Sequence, residues 1–275
     1  MSAPAPLVVG VINVTPDSFS DGGMFADAAA AVAHGQRLVE EGAGMLDVGG
    51  ESTRPAGSVY GEGAQPVSED EELCRTIPVV ERLAQAGIHV SIDTMKLTVA
   101  EAALQAGARL VNDVSAFRFE PELAGLVASS GAGCCLMHML GEPRTMQKDP
   151  RYDDVVSEVK SFLEERLAFA VGEGLSEERV WLDPGIGFGK TVEHNLELIR
   201  RLDEIVAIGR PVMIGTSRKS FLGHITGRDT LDRVPGTVAT SVMAYERGAS
   251  VFRVHDVREV ADALKVAAAT VGSHV

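Results

Sequence analysis

The sequence predicts a single-domain (β/α)8 TIM barrel spanning residues 1–275, and three observations carry that expectation. A short pattern recurs along the whole chain: a helical stretch, a Gly-containing turn, a short apolar strand, and a polar residue at the strand's carboxyl end. Eight strands can be read in this pattern. Alternating strands and helices imply a parallel sheet, and eight such units imply closure into a barrel. The length, 275 residues, suits that fold, for which about 250 is usual. No linker, composition shift or low-complexity run divides the chain. An open doubly wound sheet is the alternative. It would call for a Gly-x-Gly-x-x-Gly turn after the first strand, and none is present.

In order, the apolar run from Leu7 to Ile12 reads as a buried strand that delivers Asn13 to its end. Pro16, then Asp, Ser and a Gly pair, describe an irregular loop with one large ring, Phe19, at its middle. Such a ring either closes over something or tucks back onto the barrel mouth. A helical stretch from Asp27 to Glu41 leads through Gly42-Ala-Gly into Met45-Leu-Asp-Val-Gly49. The unit returns ending at Asp93, Asp113, His138, Asp183, Gly215 and His255. The segments between are rich in Ala, Leu and Glu at helical spacing. Leu123 to Leu140 carries no charge over 18 residues, yet its Ser-Ser-Gly-Ala-Gly centre reads as a helix end before a strand rather than a membrane span.

Composition narrows the function classes. Hydrophobic content of 45% supports a sizeable core, and a net charge of −14 argues against nucleic acid or an anionic membrane surface as partner. An anionic substrate then needs a local basic pocket. Cys74, Cys134 and Cys135 give no disulfide framework, so a reducing cytoplasm is expected. The amino terminus, Met-Ser-Ala-Pro-Ala-Pro, lacks the basic head and apolar core of a signal peptide.

In a barrel the carboxyl ends of the strands face the site. There the sequence supplies Asn13, Asp47, Asp93, Asn112, Asp183, Lys219 shortly after strand seven, and Arg253 with His255 on strand eight. Each alone is compatible with a helix cap or a turn. Eight aimed at one mouth are harder to explain that way, since cores rarely hold polar groups without partners. Arg218, Lys219, Arg253 and His255, preceded by Gly215-Thr-Ser217, form an anion side where barrels commonly bind phosphate. The alternative for these cations is pairing with Asp229 or Asp256. Asp183 runs into Pro-Gly-Ile-Gly-Phe-Gly-Lys190, whose glycines allow close approach to a flat ligand that Phe188 could stack on. The spacing before Lys190-Thr191 is not that of a phosphate-cradling loop. A buried carboxylate accepting two parallel N–H bonds suits a guanidine-like edge, such as that of a 2-amino-4-oxo-pteridine, with Asp93 and Asn112 on the remaining edges. A carboxylate–imidazole metal cluster is not expected, because only His138 and His255 are strand-end imidazoles. Mg2+ loosely held on a substrate diphosphate fits better. Cys134 and Cys135 lie away from strand ends and lack a neighbouring cation, so neither is expected as a nucleophile.

Gly10-Val-Ile-Asn-Val-Thr-Pro-Asp-Ser-Phe-Ser-Asp-Gly-Gly23 and Asp47-Val-Gly-Gly-Glu-Ser-Thr-Arg-Pro55 resemble the two loop signatures of the dihydropteroate synthases. Ser91-Ile-Asp-Thr94, Asn112-Asp-Val114, Met137-His-Met139, Leu182 to Lys190, Ser217-Arg-Lys-Ser220 and Arg253-Val-His-Asp256 follow in the family's order. The resemblance spans essentially the whole chain. One departure is Ala56, which precedes Gly57 where the family usually has Gly directly after Arg-Pro.

The resemblance implies condensation of 6-hydroxymethyl-7,8-dihydropterin diphosphate with 4-aminobenzoate to 7,8-dihydropteroate and diphosphate. By analogy Asp93, Asn112, Asp183 and Lys219 hold the pterin, with Met137 and Phe188 against its faces. Asn13, Thr53, Arg253 and His255 hold the diphosphate, and Mg2+ bridges Asn13 to it. Phe19, Thr53, Arg54, Pro55 and Ser217, with Lys219 beside them, form the aminobenzoate side, and Asp21 sits near the methylene carbon. Catalysis is assigned to Asn13, Asp21, Lys219, Arg253 and His255. Sulfonamide inhibition and a homodimer are implied as well. The rivals are a pterin-binding methyltransferase domain serving a corrinoid partner and a non-catalytic pterin-binding barrel. The two loop signatures and the basic diphosphate end argue against the first, and the joint presence of Asn13, Arg253 and His255 argues against the second.

Overall fold

The computed structural model describes residues 5–14, 24–52 and 66–271, with 24–27 described by backbone alone. Phe19, Asp21, Thr53, Arg54, Pro55 and Ala56 lie outside the described residues. Among the described residues eight strands are present: β1 (Leu7–Asn13), β2 (Met45–Gly49), β3 (Val90–Asp93), β4 (Leu110–Asp113), β5 (Gly133–Met137), β6 (Val180–Asp183), β7 (Met213–Ile214) and β8 (Val251–Val254). All pair in parallel, in the order β6-β5-β4-β3-β2-β1-β8-β7. A parallel bridge between Leu182 and Val212, with Leu182 N–H donating to the Pro211 carbonyl at 2.9 Å, joins β6 to β7 and completes the ring. The barrel expected from the recurring pattern is the one observed.

Among the described residues ten helices surround this ring. They are α1 (Met24–Glu40), α2 (Glu69–Gln85), α3 (Leu97–Gln105), α4 (Glu122–Ser130), α5 (Val155–Gly172), α6 (Val192–Arg200), α7 (Leu202–Val206), α8 (Ser220–Thr226), α9 (Val234–Glu246) and α10 (Val257–Thr270). The segment Leu123 to Leu140 is indeed a helix end, a Gly131 turn at φ 74° and a strand. Polar caps set several starts. Ser68 accepts from Glu71 N–H, Asp154 accepts from Ser157 N–H, and Thr191 with His194 closes a reciprocal box ahead of α6. No described helix is long and apolar enough to cross a membrane.

Strand side chains alternate between two faces, and that alternation positions the site. One set, including Ile12, Leu46, Val48, Ile92, Val111, Leu136, Leu182 and Phe252, packs outward into the main core under the helices. The other set points into the barrel. Its lower members, Val9, Met45, Leu110, Cys135, Met213 and Val251 with Leu7 and Trp181, make a separate apolar plug. Two residues further along, the same strands carry Asp47, Asn112, Asp183 and Arg253.

Candidate active site

The strand register brings the rim residues side by side: Asn13 lies beside Gly49, Gly49 beside Asp93, Asp93 beside Asn112, and Met137 beside Asp183. Together they open a cavity lined by Asp93, Asn112, Val114, Met137, Asp183, Gly185, Ile186, Phe188, Gly215, Lys219 and Arg253. Every pterin residue expected from the sequence lies on this lining. Val114, Met137 and Phe188 of this lining belong to an apolar cluster that also contains Met139, Met146 and Met95.

Asp183 ends β6 almost fully buried, and its Oδ1 accepts the Gly185 N–H at 2.7 Å. Gly185 is required there twice over. Its φ is 68°, and a Cβ would lie 1.9 Å from the His138 carbonyl oxygen. Burial pushes the Asp183 carboxyl up to about 6, against the pull of the Gly185 N–H, Lys219 and Arg253. Burial also brings the Lys219 ammonium down to about 8, with the Arg253 charge adding to the effect. The glycine-rich turn after Asp183 is tied from several sides. Asn195 Oδ1 accepts from Gly187 N–H at 2.7 Å, and Tyr152 Oη donates to the Gly189 carbonyl at 2.8 Å.

Arg253 departs from the expected free cation of an anion side. Its Nε donates to Asp47 Oδ2 at 2.6 Å and its Nη2 to Asp93 Oδ2 at 2.7 Å. Burial works against its charge, but Asp47 and Asp93 outweigh that and hold the guanidinium above its usual range. Burial pushes Asp93 up, and Arg253 draws it back. Arg218 departs further. It pairs with Asp256 through two N–H groups, which is the alternative pairing weighed for these cations. Its neighbours in sequence, Ser217 and Lys219, separate accordingly: Lys219 faces the cavity, and Ser217 joins His255.

The Ser217 hydroxyl lies 3.0 Å from His255 Nδ1 and accepts the His255 backbone N–H at 3.1 Å. With Nδ1 as acceptor of the hydroxyl proton, the neutral ring carries its own proton at Nε2. Burial, then Arg253 and Arg218, bring His255 down to about 3, so the ring is neutral at physiological pH. Asn13 ends β1 with its side chain exposed at the mouth. Neither Asn13, Ser217 nor His255 lines the cavity.

Three features escaped the sequence. Asp47 sits within β2 rather than at its end, 1% exposed, and also accepts from Ser91 Oγ and Asn112 Nδ2. Lys190 is buried with its ammonium 2.9 Å from His138 Nδ1 and 3.0 Å from the Phe188 carbonyl, and burial lowers it to about 7. Phe188, expected against a flat ligand, has the Lys219 ammonium 4.1 Å from its ring centre. Alternation along β3 pairs Ser91 with Asp93 on one face, and that signal alone could have suggested a polar layer beneath the rim.

Residues 9–255 match the family described as pterin binding enzyme. The dihydropteroate synthase of Mycobacterium leprae is 47% identical over 276 residues, covering 98% of this chain and 95% of that enzyme. That of Escherichia coli is 43% identical over 269 residues, covering 98% and 93%. The chain belongs to the dihydropteroate synthase family. Membership makes it a transferase of folate biosynthesis. The Xanthomonas albilineans dihydropteroate synthase with 4-aminobenzoic acid superimposes with a TM-score of 0.88 at 47% identity, covering 97% of this chain and 93% of that one. The Yersinia pestis dihydropteroate synthase, in a sulfonamide drug complex, gives 0.90 at 40% identity, covering 100% and 97%.

Among the described residues no group of three or more His, Cys, Asp or Glu could hold a metal ion. Asn13 offers a single amide oxygen. That suits a Mg2+ whose other ligands are phosphate oxygens and water, and not an ion caged by protein alone.

Proposed function

We propose that this member of the dihydropteroate synthase family joins 6-hydroxymethyl-7,8-dihydropterin diphosphate to 4-aminobenzoate, and that the cavity is its pterin site. The observation that carries the reading is the cavity's composition. A buried carboxylate, Asp183, has one oxygen fixed by Gly185 and lines the same cavity as an ammonium, Lys219, and the apolar Met137, Ile186 and Phe188. A carboxylate takes the 2-amino and ring N–H edge, an ammonium takes the 4-oxo group, and the apolar walls take the ring faces. The ring displaces or shares the Lys219 ammonium that rests on Phe188.

In the reaction the aminobenzoate nitrogen attacks the methylene carbon. The C–N bond forms, the C–O bond to diphosphate breaks with its electron pair leaving on oxygen, and the nitrogen gives up a proton. The aniline nitrogen is neutral at pH 7, so no strong base is required. The chain's task is to hold the diphosphate while its charge grows. His255 donates from Nε2, and Arg253 binds with N–H groups not committed to Asp47 and Asp93. Asn13 would help hold a Mg2+ accompanying the diphosphate, which would supply further charge neutralisation on the leaving group. Thr53 belongs to the diphosphate side, Asp21 to the methylene carbon, and Phe19, Thr53, Arg54 and Pro55 to the aminobenzoate, as the family resemblance implies. The neighbours support the small molecules: a Xanthomonas albilineans enzyme is recorded with 7,8-dihydropteroate and the Yersinia pestis enzyme with a sulfonamide drug. A homodimer and a cytoplasmic location complete the proposal. Light scattering at working concentration checks the first.

The test is an assay with the purified chain, Mg2+, the pterin diphosphate and 4-aminobenzoate. Diphosphate should appear in proportion to dihydropteroate. Methyl transfer from a methylated folate instead, or pterin binding without diphosphate release, would overturn the reading in favour of the methyltransferase or the non-catalytic barrel respectively.

A further inference from the structure

Asp47 has no assigned task in the reaction, yet three side chains donate to its carboxylate inside the barrel. Ser91 Oγ donates to its Oδ1 at 2.6 Å, while Arg253 Nε at 2.6 Å and Asn112 Nδ2 at 3.0 Å both donate to its Oδ2. A carboxylate can only accept. The Asn112 amide must therefore turn its NH2 end toward Asp47, which leaves its carbonyl end turned the other way. Asn112 is 3% exposed and lines the cavity, and its Oδ1 is buried without a hydrogen-bond partner among the described residues. Such an unpaired acceptor is costly, and a ligand N–H relieves it.

We propose that Asp47 is a positioning residue that fixes the direction of the Asn112 amide, so that Asn112 Oδ1 stands ready to accept a ring N–H of the pterin. The inference rests on the cavity being the pterin site. It also makes Asp47 the shared anchor of two functions, since the same oxygen holds Arg253. With an amide at position 47, Asn112 is free to turn and present a donor where the ring also offers one. Arg253 loses its firmer partner at the same time.

The test uses the full chain and 6-hydroxymethyl-7,8-dihydropterin alone, with affinity measured by calorimetry and folding checked by circular dichroism. Asp47→Asn should weaken pterin binding about tenfold or more, because a buried donor–acceptor match is lost. The reciprocal double variant, Asp47→Asn with Asn112→Asp, restores a donor facing an acceptor and keeps an acceptor in the cavity. It should recover most of the affinity, while kcat stays low because Arg253 has lost one of its two carboxylates. A double variant no better than Asp47→Asn, or a single variant that binds like wild type, would overturn the role of Asp47. Should Asp47→Asn not fold, Asn112→Asp carries the test. It sets two carboxylates together, so pterin affinity relative to wild type at the same pH should be lowest at about pH 8 and recover toward about pH 6, where they can share a proton. A loss independent of pH would count against the amide's orientation as the cause. Wild type that binds no pterin would instead break the reading of the cavity itself.

Discussion

On β2, β4, β6 and β8 the barrel's inward face changes character within two residues. Met45 is followed by Asp47, Leu110 by Asn112, Trp181 by Asp183, and Val251 by Arg253. The lower four belong to an apolar plug. The upper four are joined by the Arg253–Asp47–Asn112 bonds or line the cavity. One strand thus serves both purposes, with alternation keeping the layers apart. The lower layer contributes burial of apolar area. The upper layer holds buried charges that cost stability and are retained for what they bind. Substitutions two positions apart on one strand should therefore fail in different ways.

The largest effect is expected at Arg253. Arg253→Ala leaves Asp47 and Asp93 without their cation and removes charge that the departing diphosphate needs. It should lower kcat by about a hundredfold or more, with a smaller change in the pterin-diphosphate KM. Steady-state kinetics check this, and equal loss in KM alone would place Arg253 with the pterin and not the leaving group. Next comes a contrast on β4. Leu110→Ala in the lower layer should cost about 2–5 kcal/mol of unfolding free energy and leave pterin affinity unchanged. Asn112→Ala, two residues on, should mainly weaken pterin. Denaturant titration beside calorimetry separates the two, and a shared phenotype would break the division into layers.

A smaller effect is expected from pH. Asp183 must be ionised and Lys219 protonated to serve a ring with donors on one edge and an oxo group on the other. Burial brings their values to about 6 and about 8 respectively. Affinity for pterin should fall below about pH 6 as Asp183 gains a proton, and again above about pH 8 as Lys219 loses one. Titrating the dissociation constant across this range checks the bell, and a flat profile would mean that neither group meets the ring.

Much of this was legible in the chain. The eight strands follow from local repetition, and Asp93, Asn112, Asp183 and Lys219 were identified as facing the mouth because each lies at or just beyond a strand's carboxyl end. Partners were harder to read. Arg253 looks like a phosphate ligand by its neighbours in sequence, but its carboxylates lie on β2 and β3, more than a hundred residues away. Arg218 and Lys219 are adjacent cations in sequence, and only the turn between them, with Arg218 at φ 57°, sends one to Asp256 and the other into the cavity. Lys190 has no assigned role in the sequence, and only the fold places its ammonium against His138. In each case the decisive contact is tertiary, and local pattern carries no record of it.

The central claim, that the upper layer holds charge at a cost for the sake of the ligand, is tested most directly by Asp183→Asn at pH 7. Asp183 has its carboxyl raised from 3.8 to about 6. With the folded value above the unfolded one, the penalty is absent below about pH 4, grows through about pH 6, and is complete at pH 7. A shift of about two units corresponds to roughly 3 kcal/mol. The amide keeps the acceptor for Gly185 and removes the charge, so unfolding free energy at pH 7 should rise by up to about that amount. Pterin affinity should fall by about 1–3 kcal/mol for the lost acceptor. Both quantities come from one preparation, by denaturant titration and calorimetry. A variant that is less stable at pH 7 yet binds pterin as wild type does would contradict the account.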